Sequence, residues 1–136
     1  MHIQSNSTLN TEPKASCLVV EDEALCSYMT CMLLKELSCF TDLAKTAAQA
    51  YSFLQGKIYD IVFLDIGLPD KNGFELTKDI RDSLHLTIPI VAITGHIFKK
   101  DKGYFTDRGL NNVIYKPASL DDLQEVLSKE KIRTIR

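Results

Sequence analysis

The chain has 136 residues, of which 45% are hydrophobic and 25% are charged, and its formal net charge is -2. That length supports one sizeable hydrophobic core and is short for two domains. The lysines and arginines are scattered along the chain and form no basic patch, so we expect no direct contact with nucleic acid. We also expect no membrane segment in this chain.

Composition divides the chain into three parts. Residues 1–14 are rich in Ser, Thr and Asn, which predicts a disordered N-terminal arm or linker. Residues 15–130 are predicted to form the domain, and residues 131–136 a short tail. No C-x-x-C pair and no histidine at zinc-ligand spacing accompanies the cysteines, so we interpret them as reduced thiols of a cytoplasmic protein: Cys17, Cys26, Cys31 and Cys39.

The first half of the domain contains two predicted pairs of strand and helix. The apolar run 17–20 predicts a first strand, and residues at helical spacing predict the helix that follows it, with one stripe facing the core: Leu25, Met29, Met32, Leu33 and Leu37. Residues 39–44 fit a second, short strand. Thr46 is predicted to cap a second helix, which ends at Gly56.

The second half continues the alternation with three more strands and three more helices. Residues 61–64 are apolar at both odd and even positions, as expected for a central strand covered on both faces. The turn-forming segment 68–73 precedes a third helix, marked by Leu76, Ile80 and Leu84. Residues 88–93 give a fourth strand, and 97–108 give the weakest helix, which we expect to be mobile. Residues 113–115 give a fifth strand before a helix with the apolar stripe Leu120, Leu123, Val126 and Leu127.

This strict alternation predicts an α/β fold, a doubly wound five-stranded parallel sheet with right-handed crossovers and helices on both faces. One common strand order for such a sheet is 2-1-3-4-5. In that order the ligand crevice lies at the carboxyl ends of the first and third strands. The topology therefore predicts where a site would lie before any motif is considered.

Five polar residues follow or end the predicted strands at this rim. Glu21 and Asp22 follow the first strand, Asp65 ends the third, Thr94 ends the fourth and Lys116 ends the fifth. Three carboxylates that meet repel one another unless a cation or protons neutralise them. Oxygen ligands that leave room for water suit Mg²⁺ better than zinc, so we predict Mg²⁺ first and Mn²⁺ second.

The same residues are chemically suited to phosphoryl transfer. An oxygen of Asp65 is a competent nucleophile toward phosphorus if a metal and a cation offset charge on the transferring oxygens. Lys116 can supply that cation, and the Thr94 hydroxyl can donate to a phosphoryl oxygen. Each residue alone has an ordinary explanation, such as helix capping or a surface position. Their coincidence at four strand ends favours a site.

Four segments resemble the receiver domains of two-component signalling proteins, and the resemblance extends over residues 15–129. The matching segments are 18–23, 65–73, 92–95 and 116–117, each at a predicted strand end. The resemblance implies the flavodoxin-like (βα)5 receiver fold. It also implies that the partner is a histidine kinase or a histidine phosphotransfer domain, whose phosphohistidine donates the phosphoryl group.

The resemblance implies the metal ligands as well. Asp65 would be the phosphoacceptor, and Asp22 and Asp65 would bind Mg²⁺ directly. Glu21, where receivers commonly carry Asp, would help to hold the ion through water. The backbone carbonyl of Gly67 would complete the protein ligands.

By the same resemblance, Lys116 would pair with Asp65 and later with the phosphoryl group, which Thr94 would turn inward to bond. The peptide bond between Lys116 and Pro117 is expected to be cis. The chain departs from many receivers at Val113, where an aromatic residue usually moves together with the threonine. Tyr115 shares that face of the strand but lies two residues nearer the lysine, so we expect output through the fourth helix and fifth strand by a different rearrangement.

Other functions stay open at this point. An aspartate-based phosphatase or phosphotransferase would need a second acid two residues after the nucleophile, where this chain has Gly67. A flavodoxin-like cofactor binder would need a phosphate-binding loop, and the acidic residues 21–23 would repel phosphate. A silent interaction module on the same fold is the third alternative. The motif sequences are similar to those of receivers in hybrid sensor kinases. The chain could therefore be a piece of such a kinase or a stand-alone regulator, and both alternatives stay open. The sequence indicates no oligomeric state.

Overall fold

The computed structural model describes residues 14–95 and 100–133, and in these ranges it contains five strands and five helices. The strands are β1 Ser16–Val20, β2 Phe40–Ala44, β3 Ile61–Leu64, β4 Ile90–Thr94 and β5 Asn112–Tyr115. The helices are α1 Ala24–Glu36, α2 Ala47–Gly56, α3 Gly73–Asp82, α4 Lys102–Thr106 and α5 Leu120–Lys129. All paired strands are parallel, and their order is β2-β1-β3-β4-β5, which confirms the predicted topology.

The sheet is covered on both faces because successive side chains of each strand point to opposite sides. Leu18 and Val62 face α2, α3 and α4, where they join a core that includes Leu54, Ile80 and Phe105. The neighbouring residues along the strands face α1 and α5 and join a second core with the buried side chains Leu34, Leu37, Leu123 and Leu127. All four residues of β3 are buried, as its apolar sequence predicted. The stripe predicted to face the core from α1 is wrong at three positions, because Leu25, Met29 and Met32 are exposed. The buried residues of α1 are Ser27, Thr30 and Leu34.

The helix starts follow from local capping. The Thr46 side chain accepts a hydrogen bond from the backbone N–H of Gln49 at 3.0 Å, which confirms the predicted cap of α2. Capping boxes begin α3 at Asn72 and α5 at Ser119.

Within residues 14–95 and 100–133, no helix combines the length and the apolar character needed to cross a membrane.

The fourth helix is shorter than its sequence suggested. Asp101 accepts a hydrogen bond from the N–H of Tyr104 at 3.0 Å and is the N-cap, and the helix ends at Thr106. The predicted helix was therefore too long at residues 100 and 101 and at residues 107 and 108. Positions 97–99 of that prediction lie outside the described residues, as do 1–13 of the predicted arm and 134–136 of the predicted tail. The fourth strand begins two residues later than predicted, because Pro89 has no N–H and only its carbonyl joins the ladder, accepting from Val62 at 3.0 Å.

Candidate functional site

The candidate site lies at the carboxyl rim of the sheet, where three of its residues extend the strand ladder by one step. The backbone N–H groups of Glu21, Asp65 and Lys116 donate to the last carbonyls of β2, β1 and β4 at 2.9, 2.9 and 2.8 Å. Each residue stands immediately after its own strand. The backbone of the site is therefore held by the same hydrogen-bond pattern that holds the sheet, and the side chains project from a rigid edge.

Three carboxylates meet at this edge. Glu21, Asp22 and Asp65 each offer an oxygen, and these oxygens all lie within 4.8 Å of one another. Glu21 and Asp65 are 5% and 9% exposed, whereas Asp22 is open to solvent. The sequence predicted that the ends of the first and third strands would bring these groups together, and the structure does so.

Lys116 lies against the buried pair of this cluster. Its Nζ is 2.9 Å from Oε1 of Glu21 and 3.4 Å from Oδ2 of Asp65. The sequence anticipated the contact with Asp65 and missed the closer one with Glu21, whose extra methylene lets it reach the ammonium. The peptide bond from Lys116 to Pro117 is cis, as expected.

Partial burial and mutual contact shift the pKa values of Glu21 and Lys116. Burial raises the pKa of the Glu21 carboxyl, although the hydrogen bond from Lys116 acts in the opposite direction. Burial alone would lower the pKa of Lys116. Its hydrogen bond to Glu21 and the negative charges of Asp65 and Glu21 outweigh burial, so the pKa of Lys116 is raised. Lys116 therefore stays charged at neutral pH.

The site carries more negative charge than its lysine can offset. Three carboxylates face one ammonium, and within residues 14–95 and 100–133 no cation pairs with the Asp22 side chain. The donor atoms are all oxygens, which is the donor set that hard divalent cations prefer. The residues present therefore fit a small hard cation.

Gly67 borders the carboxylates, and Thr94 ends β4, the strand next to β3 in the sheet. Thr94 is the last residue of β4 and is buried, and in the described part of the chain its hydroxyl makes no hydrogen bond to protein. The backbone N–H of Gly67 donates to Oδ1 of Asp65 at 3.2 Å, so Gly67 lies directly beside the central carboxylate.

The model of the response regulator receiver domain matches residues 17–128. The chain belongs to this family. It is a receiver domain, a module of two-component and phosphorelay signalling, as the motifs at the strand ends suggested.

Relatives of this receiver include a transcription factor and several sensor kinases. It is 32% identical over 126 residues to transcription factor SKN7 of Candida albicans, covering 93% of this chain and 22% of that protein. It is 30% identical over 119 residues to hybrid signal transduction histidine kinase L of Dictyostelium discoideum, covering 82% of this chain and 7% of that protein. The chain thus spans less than a quarter of the length of these curated relatives.

A solved structure gives a further comparison. The receiver domain of a sensor histidine kinase from Pseudomonas aeruginosa is 25% identical to this receiver, with a TM-score of 0.76. The alignment covers 86% of this chain and 97% of that one. That structure has a magnesium ion coordinated in its active site cleft.

The loop of this receiver from Asp65 to α3 is tightly built around Gly73. The N–H of Gly73 donates to the carbonyl of Ile66 at 2.7 Å and closes the loop. A Cβ at this position would lie 2.6 Å from a Leu64 methyl and 2.9 Å from the Asp65 carbonyl oxygen. Only glycine lets α3 begin this close to the backbone of the central carboxylate.

The fifth strand of this receiver carries its aromatic residue at position 115 and a valine at position 113. Val113 packs against the core beneath α4, whereas Tyr115 is paired with Thr94 across the β4 and β5 ladder. The Tyr115 hydroxyl accepts from the backbone N–H of Lys100 at 3.2 Å and lies 3.1 Å from its carbonyl oxygen. Tyr115 is therefore held against the segment that leads into α4.

Proposed function

We propose that this receiver accepts a phosphoryl group on an Asp65 carboxylate oxygen from the phosphohistidine of a histidine kinase or a histidine phosphotransfer domain. The observation that carries the proposal is the contact geometry around Asp65. Its carboxylate lies within 4.8 Å of the oxygens of Glu21 and Asp22, and Lys116 Nζ lies 3.4 Å away. Transfer forms a bond from Asp65 oxygen to phosphorus and breaks the bond from phosphorus to imidazole nitrogen, which leaves with the electron pair.

The proposed metal is Mg²⁺, with Mn²⁺ as second choice. Asp22 and Asp65 are proposed as direct ligands, Glu21 as a holder through water, and the Gly67 carbonyl as the backbone ligand. Support comes from the all-oxygen donor set, from the charge of Asp22, which pairs with no cation among the described residues, and from the magnesium ion of the Pseudomonas receiver. When bound, the ion would neutralise charge on the oxygens of the transferring group.

The two remaining site residues would act on the phosphoryl group itself. Lys116 would shift from its contacts with Glu21 and Asp65 to a phosphoryl oxygen and offset its charge. The Thr94 hydroxyl, buried and without a protein partner in the described residues, would donate a hydrogen bond to another phosphoryl oxygen. The position two residues after Asp65 is Gly67, which provides no acid for a leaving group, so we propose self-phosphorylation rather than turnover of a separate substrate.

We also propose the bounds of the domain, its location in the cell and its route of output. Residues 15–130 would form the receiver, in the cytoplasm, where its four free thiols stay reduced. Phosphorylation would change the surface of α4 and β5. Tyr115, through its hydrogen bonds with Lys100, would transmit the change in place of an aromatic residue at position 113. Both a piece of a hybrid kinase and a stand-alone regulator fit these features.

The experiment is incubation of the wild type with a small phosphodonor, with Mg²⁺ or with excess EDTA, followed by intact mass and peptide mapping. We expect addition of one phosphoryl group with Mg²⁺, on the peptide that contains Asp65, and none with EDTA. A protein that binds Mg²⁺ and takes up no phosphoryl group would contradict the proposed function.

An apolar surface beside the acidic cluster suits a donor domain. Helix α1 begins two residues after Asp22 and exposes large side chains along one face: Leu25, Tyr28, Met29 and Met32. A protein that brings phosphohistidine to Asp65 must cover the rim next to these residues, and an apolar face of this kind typically marks a protein contact.

This surface gives a second prediction. Leu25→Asp is expected to keep uptake from a small phosphodonor and to slow transfer from a phosphorylated histidine phosphotransfer domain by about tenfold or more, since it adds a charge to a buried contact. The exposed Ile58 precedes β3, at the end of that strand opposite to the rim, and provides the control Ile58→Asp, which should leave both rates unchanged. Equal slowing of both rates by Leu25→Asp would contradict the docking role.

A further inference from the structure

Asp70 joins the phosphoacceptor loop, residues 65–73, to a helix that is distant in sequence. Its two carboxylate oxygens accept hydrogen bonds from the backbone N–H groups of Ala47 and Ala48, at 2.9 and 3.0 Å. These are the first two residues of α2. One side chain of the loop between β3 and α3 is therefore bonded through both oxygens to the start of another helix.

The contact completes the cap of α2. The first N–H groups of a helix have no partners within the helix. Thr46 binds the N–H of Gln49, and Asp70 binds the two N–H groups before it. A negative charge at this end is also favoured by the helix dipole. The backbone hydrogen bonds from Ala47 and Ala48 lower the pKa of Asp70, so it is ionised at neutral pH.

Asp70 lies in the middle of the loop that also contains the candidate site residues Asp65 and Gly67. The loop is fixed at its start by the hydrogen bond from the Asp65 N–H to β1, and at its end by the bond from the Gly73 N–H to Ile66. Asp70 lies between these points, three residues after Gly67. Ile66 and Leu68 are buried on either side of Gly67, which is itself exposed.

Packing leaves the outer part of the loop weakly supported. A cavity of about 420 Å³ lies between α2 and α3, and its lining includes Ala48, Asp70 and Leu76. Asp70 borders this open space and is exposed to solvent. On that side, hydrogen bonds rather than close packing hold Asp70 against α2, whereas Leu68 nearer to Gly67 is buried in the core.

We infer that Asp70 is a positioning residue of the phosphoacceptor loop, whose two-oxygen contact with α2 fixes the Gly67 carbonyl and Asp65 relative to Asp22. This inference rests on the proposed function, because it concerns the same metal site. Loss of the contact frees the loop and weakens metal binding, while the residues that react are unchanged.

The test compares Asp70→Ala with Thr46→Ala, which removes the neighbouring cap of the same helix without touching the loop. Three quantities are measured for each variant. Calorimetry gives the Mg²⁺ affinity, incubation with a small phosphodonor gives the rate of phosphoryl uptake, and thermal melting gives the stability of the fold. We expect Asp70→Ala to raise the Mg²⁺ Kd about tenfold, the low end of the loss seen when groups that hold metal ligands are removed. Its uptake rate should return to the wild-type value at saturating Mg²⁺.

Thr46→Ala should lower the melting temperature and leave the Mg²⁺ Kd unchanged. Asp70→Asn removes the charge and keeps an acceptor oxygen, so it should raise the Kd only about threefold, as expected for a neutral bond about half as strong. The inference is overturned if Asp70→Ala binds Mg²⁺ like the wild type, if Thr46→Ala weakens binding equally, or if Asp70→Asn behaves like Asp70→Ala. A wild type that takes up no phosphoryl group would instead overturn the proposed function, whatever Asp70 does.

Discussion

Asp65→Asn is expected to abolish phosphoryl uptake, the largest effect of any single substitution in this receiver. An amide oxygen is a poor nucleophile toward phosphorus, so no acyl phosphate can form. The fold should remain, because the contact of Lys116 with Glu21 at 2.9 Å does not depend on Asp65, and one carboxylate fewer reduces repulsion in the cluster. The measurement is intact mass after incubation with a small phosphodonor and Mg²⁺.

Asp82→Asn is the matched control for this substitution. Asp82 lies at the end of α3, where its side chain pairs with Lys78 across an exposed surface. Removing that pair should change neither uptake nor stability by a measurable amount. A phosphoryl group found on Asp65→Asn at another carboxylate would show that the acceptor has been assigned to the wrong residue.

Lys116→Met is expected to slow uptake by about 100-fold to 1,000-fold, the usual loss when one positioned donor to a developing negative charge is removed. The substitution also leaves Glu21, which is 5% exposed, without its ammonium partner. Breaking a buried ion pair from one side costs about 3 kcal/mol. We therefore expect a lower free energy of unfolding together with slow uptake, measured by chemical denaturation and by the same mass assay.

A double variant separates these two effects. Glu21→Gln combined with Lys116→Met replaces the unpaired carboxylate by a neutral amide, so it should recover part of the lost stability. Its uptake should stay slow, because no ammonium faces the phosphoryl oxygens. Uptake by Lys116→Met at the wild-type rate, or recovery of uptake in the double variant, would remove Lys116 from the transfer step.

Much of this fold is predictable from sequence because the signals are local. The apolar residues 61–64 predict a buried central strand, and Thr46 predicts the start of α2. Chain topology then places the residues that follow the strands at one rim, since parallel strands end on the same side. The convergence of Glu21, Asp22 and Asp65 follows from that placement without any knowledge of side-chain positions.

The remaining features depend on distances that exist only in the folded chain. The preference of Lys116 for Glu21 over Asp65 is a matter of side-chain length at a partly buried position. The contact of Asp70 with the start of α2 spans more than 20 residues and joins two loops that are brought together by the pairing of β1 with β2 and β3. In both cases the sequence contains the residues and no local pattern that links them.

The proposed phosphoryl transfer requires a cation shared by the ends of β1 and β3, and anomalous diffraction from crystals grown with Mn²⁺ tests for that cation most directly. We predict one strong peak within bonding distance of carboxylate oxygens of both Asp22 and Asp65, with Lys116 and Thr94 facing the same space. A structure in which these carboxylates are ordered and the peak is absent, or bonded to residues elsewhere, would contradict the account.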